Sequence, residues 1–245
     1  PAARRGMTRL PAEFDRLYRA GADAPFVDAQ GRVRALVLEV VQPAGWDALS
    51  PLWQGVQAEL ELPAPAIAVS GLDAIQLWFS FEAPLAASDA QAFGAALRER
   101  FLPDLPAARV RLWPDAAPPT RVLAPVPALQ PSTGNWSAFV SADLAAIFSD
   151  TPWLDIEPGD EGQAALLRPL QSITQSALAG LRARASRASA PAPASAPATA
   201  TSADTSFTEH DPRRFLLRVM NDERVELALR IEAAKALLGS RDREG

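Results

Sequence analysis

The chain contains no cysteine and a single histidine, His210. Without cysteine there is no disulfide framework, no iron–sulfur centre, no thiol nucleophile and no Cys-containing zinc site. One histidine excludes a multi-His metal centre and leaves one place for an imidazole general base. Lysine is as scarce: Lys235 is the only one. No run of 18 apolar residues occurs, so no bilayer-spanning helix is expected. There is no glycine-rich phosphate loop and no Gly-x-Ser-x-Gly elbow, and no spacing pairs two carboxylates for glycoside chemistry. The N-terminal stretch lacks the pattern of a secretory signal, which sets cytoplasmic localisation as the expectation. PAARRG precedes Met7, and Met7 reads as a natural start.

What is present suits a folded protein. The 245 residues are 48% hydrophobic, with 50 Ala and 23 Pro. That length buries a sizeable core. Charge is unevenly spread. Between residues 23 and 180, 8 Arg stand against 18 Asp and Glu, a net of −10, while the whole chain is −5. An acidic body is a poor phosphate-binding surface, because nucleic-acid affinity rests on clustered Lys and Arg. The basic residues gather at the flanks, among them Arg182, Arg184 and Arg187.

Periodicity predicts a helix over residues 8–20, with Leu10, Phe14, Leu17 and Tyr18 on one face. Residues 33–41 (VRALVLEVV) read as a buried strand interrupted by one charge, Glu39. Residues 44–60 carry Trp46, Leu49, Trp53, Val56 and Leu60 at helical spacing. AIAVS (66–70) and AIQLWFSF (74–81) read as a hairpin around Ser70-Gly71. A helix over 88–102 and a short strand over 109–113 follow. The Pro-rich stretch 114–131 reads as extended coil with a short strand near Val122, and 136–140 as a last strand. Helices are expected over 143–148 and 161–181. The order implies an α+β fold: a mixed or antiparallel sheet with helices packed on one face.

Residues 186–206 consist of Ala, Pro, Ser and Thr with one Arg and one Asp, the composition of a disordered linker. Residues 207–245 then read as a two-helix tail, with Asp211-Pro212 as a helix start and Leu227, Ile231, Ala234 and Leu238 on one stripe. The expected organisation is an N-terminal helix region (1–22), an α+β domain (23–185), the linker and the tail.

Several features of the domain together resemble the central part of archaeo-eukaryotic primase-polymerases. They are Ser70-Gly71 at a strand end, the aromatic run Leu77-Trp78-Phe79 with Phe81, then Pro84 leading to a helix with Phe93, and Arg111-Leu112-Trp113-Pro114. The strand at 33–41 with its following helix, and Gly134-Asn135 before Phe139, sit at similar places, so the likeness runs over roughly residues 30–170. The resemblance implies two divalent metals on an Asp-x-Asp pair in the first strand and a nucleotide-binding His two residues before the aromatic pair. This chain departs at both. Its first strand offers Glu39 alone, and the His position is Gln76. Asp115 stands where a third carboxylate would be. A separate segment, RFLLRVMNDERVELALRIEAAKALL (214–238), is similar to a helical segment of phage terminase small-subunit-like proteins.

Glu39, Ser70, Gln76, Asp115, Trp136 and Trp153 are therefore the candidates for a groove or ligand site. Glu39 is expected to point to an exposed sheet face or strand end, and Gln76 to solvent or a groove. Trp46, Trp53 and Trp78 are expected in the core. Arg182, Arg184, Arg187, Arg213, Arg214 and Arg218 are candidates for nucleic-acid or partner contacts, and His210 for a capping role. No catalytic residue, metal or cofactor is expected. The expected function is a non-catalytic primase-like accessory protein of a phage or mobile element, with a protein partner on the C-terminal helices, DNA as a second partner, and no membrane contact. The alternatives are a protein–protein adaptor without a nucleic-acid role and a nucleotidyltransferase with a rearranged metal site.

Overall fold

The structure, a computed structural model, describes residues 9–22 and 24–189, with side chains up to 184. The linker from residue 190 on, the tail, His210, Arg213, Arg214, Arg218 and the side chain of Arg187 lie outside the described residues, whereas residues 186–189, the expected start of the disordered linker, are helical.

Five strands form one antiparallel sheet: β1 (Arg32–Val41), β2 (Ala66–Val69), β3 (Ala74–Ala86), β4 (Val110–Trp113) and β5 (Ala138–Val140), in the spatial order β4-β1-β3-β2-β5. Helix α2 (Trp46–Ala58) joins β1 to β2, and α3 (Ala87–Phe101) joins β3 to β4. In both cases the connected strands enclose a third strand between them. The core is thus two interlocked split β-α-β units, the ferredoxin-like arrangement, extended at one edge by β5. The fold is α+β, and no described helix is long and apolar enough to cross a membrane.

Residue alternation assigns the two faces. Leu36, Leu38, Leu77 and Phe79 point one way and meet α3. A Cβ on Gly94 would come within 3.0 Å of Leu36 and 3.2 Å of Leu112, so Gly is what allows α3 to lie so close. Phe93 packs edge-on against Phe79 and Phe81.

The opposite face carries Val37, Glu39, Gln76, Trp78, Arg111, Trp113 and Phe139, matched across the strand register. The expectation of helices on one face is corrected here. Helix α1 (Arg9–Tyr18) lies on this second face and inserts Phe14 and Tyr18 against Trp78 and Phe139, with ring centroids 5.1–6.3 Å apart. Leu10, Phe14, Leu17 and Tyr18 recur at the spacing that makes one helical stripe, and all four are buried. Each large side chain buried there contributes roughly 1.5–3 kcal/mol. Arg34 secures the helix by donating to the carbonyl oxygens of Arg16, Arg19 and Phe81.

Four further expectations are corrected. The stretch 161–181 is not one helix: α5 (Asp160–Leu167) ends before Pro169, which has no N–H to donate, and the helix α6 (Gln175–Ser189) starts afresh. Between them Ile173 bridges to β3, donating its N–H to the Ser80 carbonyl and accepting from the Glu82 N–H. No strand forms near Val122, whose side chain is exposed. The last strand is only three residues long, and Trp136 precedes it in isolated bridges to Leu129 and Leu154. The expected helix at 143–148 is a short α4 (Ala142–Ala145) running into a 3-10 turn.

Candidate functional site

Glu39, Gln76 and Arg111 lie side by side on β1, β3 and β4, because Glu39 is the register partner of both others. Gln76 Nε2 donates to Glu39 Oε1 at 2.7 Å, and Trp78 Nε1 donates to Gln76 Oε1 at 2.8 Å. The second carboxylate oxygen of Glu39 accepts from Arg121 Nη1 at 2.7 Å, with Arg111 Nε 3.8 Å away. Arg111 in turn pairs with Asp73 at 2.7 Å. Trp78, Gln76, Glu39, Arg121, Arg111 and Asp73 thus form one connected polar network at an end of the face that α1 covers.

Glu39 is 5% exposed and Gln76 7%, so neither faces solvent or an open groove as expected. A carboxylate can be buried on a sheet only if cations and donors replace its water, and Arg121 and Gln76 do so.

Arg121 is the residue that sequence reasoning missed. It arrives from 82 positions away in a Pro-rich stretch with no periodic signal. Asp115 explains its placement. The Asp115 carboxylate accepts from the Thr120 hydroxyl and N–H and, more distantly, from the Arg121 N–H, closing a turn that delivers Arg121 to Glu39. Trp113 Nε1 completes the turn by donating to the Arg121 carbonyl at 2.9 Å. These hydrogen bonds, led by the Thr120 hydroxyl, hold the Asp115 carboxyl down at about 2. Asp115 therefore does not join Glu39 as a ligand. It positions the arginine that neutralises Glu39.

The remaining candidates separate. Ser70 caps the β2–β3 turn, its Oγ accepting from the N–H groups of Leu72, Asp73 and Ala74 at 3.0–3.1 Å. Gly71 adopts φ +79° there, and an added Cβ would meet the Ser137 nitrogen at 2.8 Å. Trp136 and Trp153 are half-buried beside this turn: the Gly71 N–H donates to the Pro152 carbonyl, and the Trp136 backbone lies against Gly71. Trp46 and Trp78 are buried, and Trp53 packs on Trp46 with its indole N–H on the Pro65 carbonyl. Arg182 pairs with Asp89 at 3.0 Å and Arg184 with Glu61 at 3.3 Å.

Among the described residues no group of three or more His, Asp or Glu side chains is arranged to hold a metal ion. Glu39 has a guanidinium where a second carboxylate would be needed, and hard cations require clustered oxygen ligands. No protein-family model matches the chain, and no curated protein matches it.

Proposed function

We propose that this chain is a non-catalytic primase-like accessory protein of a phage or mobile element, working by binding rather than by nucleotidyl transfer. One observation carries the reading. The strand position at which the resemblance would place the metal-binding carboxylates holds Glu39, and both its oxygens are engaged, one by Gln76 and one by Arg121. A divalent ion at Glu39 would have to displace a guanidinium at 2.7 Å and would meet Arg111 next to it. The Gln76 amide is likewise committed to Glu39 and Trp78.

The test is nucleotide incorporation by the full chain on a primed template with Mg²⁺ or Mn²⁺. The expected result is none, together with an unchanged melting temperature on adding either ion, since a ligand that binds only the native state stabilises it. Incorporation that disappears in Glu39→Ala would overturn the proposal.

A second reading, a protein–protein adaptor without a nucleic-acid role, draws on two observations. The sheet face that carries Trp78 and Phe139 is closed by α1, which removes it as a base-stacking platform. Arg100, Arg111, Arg121, Arg182 and Arg184 are all engaged by carboxylates. A DNA-binding titration on the full chain separates the readings. Affinity that falls steeply with salt supports a nucleic-acid role, and no binding at low salt supports the adaptor.

A further inference from the structure

Short extended segments meet beyond the β2–β3 turn. Leu129 bridges to Trp136 and Trp136 to Leu154, both antiparallel, and Trp136 and Leu154 exchange both backbone hydrogen bonds, at 2.8 and 3.0 Å. The turn is tied to them, because the Gly71 N–H donates to the Pro152 carbonyl and Gln130 Nε2 to the Ser70 carbonyl. Side chains of bridged residues project from one side, so Leu129, Trp136 and Leu154 share a face. Ser137, the next residue along, is buried and marks the inner side, which turns that face to solvent. Leu129 is 48% exposed, Ile156 beside Leu154 is 75% exposed, and Leu72 at the adjoining turn is 40% exposed. Trp136 and Leu154 are half-buried. Single exposed apolar residues need no explanation, but a grouped surface that includes a tryptophan marks an interaction site.

The charge around this surface is of one sign. Residues 122–167 contain six Asp and Glu and no Arg or Lys. Asp150, Asp155 and Glu157 are exposed, and none of the three has an ion-pair partner among the described residues. Arg109 and Arg111, at the start of β4, are committed to the Gln42 carbonyl and to Asp73. On α2, α3 and α6 the pattern differs: Glu59, Glu61 and Asp89 each hold an arginine. Carboxylates without cations beside exposed apolar side chains favour a cationic partner and oppose an anionic one.

We infer that this surface docks a cationic amphipathic segment of a partner protein, a helix with an apolar stripe flanked by Lys or Arg. The stripe lies on Leu129, Trp136, Leu154 and Ile156, where removal of apolar area from water supplies the affinity. Asp150, Asp155 and Glu157 meet the flanking cations, and the Trp136 ring offers them a π face. A second copy docked through the same face sets these carboxylates against their own counterparts, and a nucleic acid sets phosphates against them. The inference does not depend on the reading of Glu39, because the surface shares no residue with that network.

The test titrates a fluorescently labelled helical Leu/Lys peptide with the full chain and follows anisotropy. A Leu/Glu peptide with the same apolar stripe and a Leu/Lys peptide with the stripe scrambled are the comparisons. The amphipathic Leu/Lys peptide is expected to bind roughly tenfold tighter than either. Ile156→Ser, at an exposed position, is expected to weaken it roughly tenfold with an unchanged melting temperature. Asp155→Asn combined with Glu157→Gln is expected to weaken it roughly fivefold and to flatten its salt dependence. Glu82→Gln, which removes an exposed charge further along β3, is expected to leave binding unchanged. The proposal is overturned if the amphipathic Leu/Lys peptide does not bind, if either comparison binds as tightly, or if Ile156→Ser or the double variant binds like the parent. Dimers of the full chain that Ile156→Ser dissociates would also overturn it and assign the face to a second copy.

Discussion

The Glu39 carboxylate and the Arg121 guanidinium meet at 2.7 Å across 82 residues of chain, and the pair closes one end of the sheet face beneath α1. Glu39 has a side-chain exposure of 6% and Arg121 of 36%. The bridge is therefore anchored in the core on one side and reaches the surface on the other.

Removing one partner should hurt more than removing both. Arg121→Met leaves a buried carboxylate with only Gln76, and a loss of about 2–3 kcal/mol is expected. Glu39→Leu strands Gln76 and Arg121, with a similar loss. The double variant should recover part of it, a coupling of about 1–2 kcal/mol. Urea denaturation of the four proteins measures this, and strictly additive losses would show that the pair is not a stabilising unit.

Asp115 supplies a pH dependence of known sign. Its folded carboxyl lies at about 2, below the ordinary 3.8, chiefly because the Thr120 hydroxyl donates to it. A depressed carboxyl stabilises the fold above its unfolded value and loses that effect as pH falls through its folded value. The difference in melting temperature between the parent and Asp115→Ala should be constant above pH 5 and shrink towards pH 2. A constant difference down to pH 2 would contradict this assignment.

Gly71 should tolerate no side chain. Its φ of +79° disfavours L residues, and a Cβ would press on the backbone of Trp136 and Ser137 at 2.8–3.0 Å. Gly71→Ala is expected to cost about 2–4 kcal/mol through strain and displacement of that segment. Exposed Gly134, also at positive φ but with open space around it, should cost less in the same denaturation series.

Arg34 should control how firmly α1 holds the sheet. It donates to three carbonyls, at 2.6 Å for Arg19 and 3.0 Å for Arg16 and Phe81. Arg34→Met keeps the stem but removes the donors, and a loss of about 2–3 kcal/mol is expected. Near-ultraviolet circular dichroism should change with it, because Tyr18 and Trp78 pack at 5.1 Å beneath the helix. An unchanged aromatic spectrum with full stability would show that the apolar stripe alone fixes α1.

Local pattern made much of the architecture legible. A nearly continuous apolar, Val-rich run marks β1, and Ser70-Gly71 marks the turn of the β2–β3 hairpin. The 3–4 spacing of Trp46, Leu49, Trp53 and Val56 marks α2. The apolar residues on both sides of Pro169 read as one helix over 161–181, which the structure breaks after Leu167. The chain from Leu167 to Gln175 leaves the helical path because Ile173 pairs with β3, a partner over 90 residues earlier. Glu39 and Gln76 stand out as polar interruptions of apolar strands, and they meet. Their burial is not legible, because the cation that meets Glu39 is Arg121, 82 residues away in a stretch without a periodic pattern.

Sequence by itself therefore determined the identity of most strands and helices and the α+β class, since periodicity and turn chemistry act over a few residues. Tertiary structure decided the strand order, the second helical layer and the chemical state of the site. Whether a lone strand carboxylate is a ligand or a structural anion depends on which cation lies within hydrogen-bonding reach. For Glu39 that cation is Arg121, brought there by a turn around Asp115 that has no regular secondary structure.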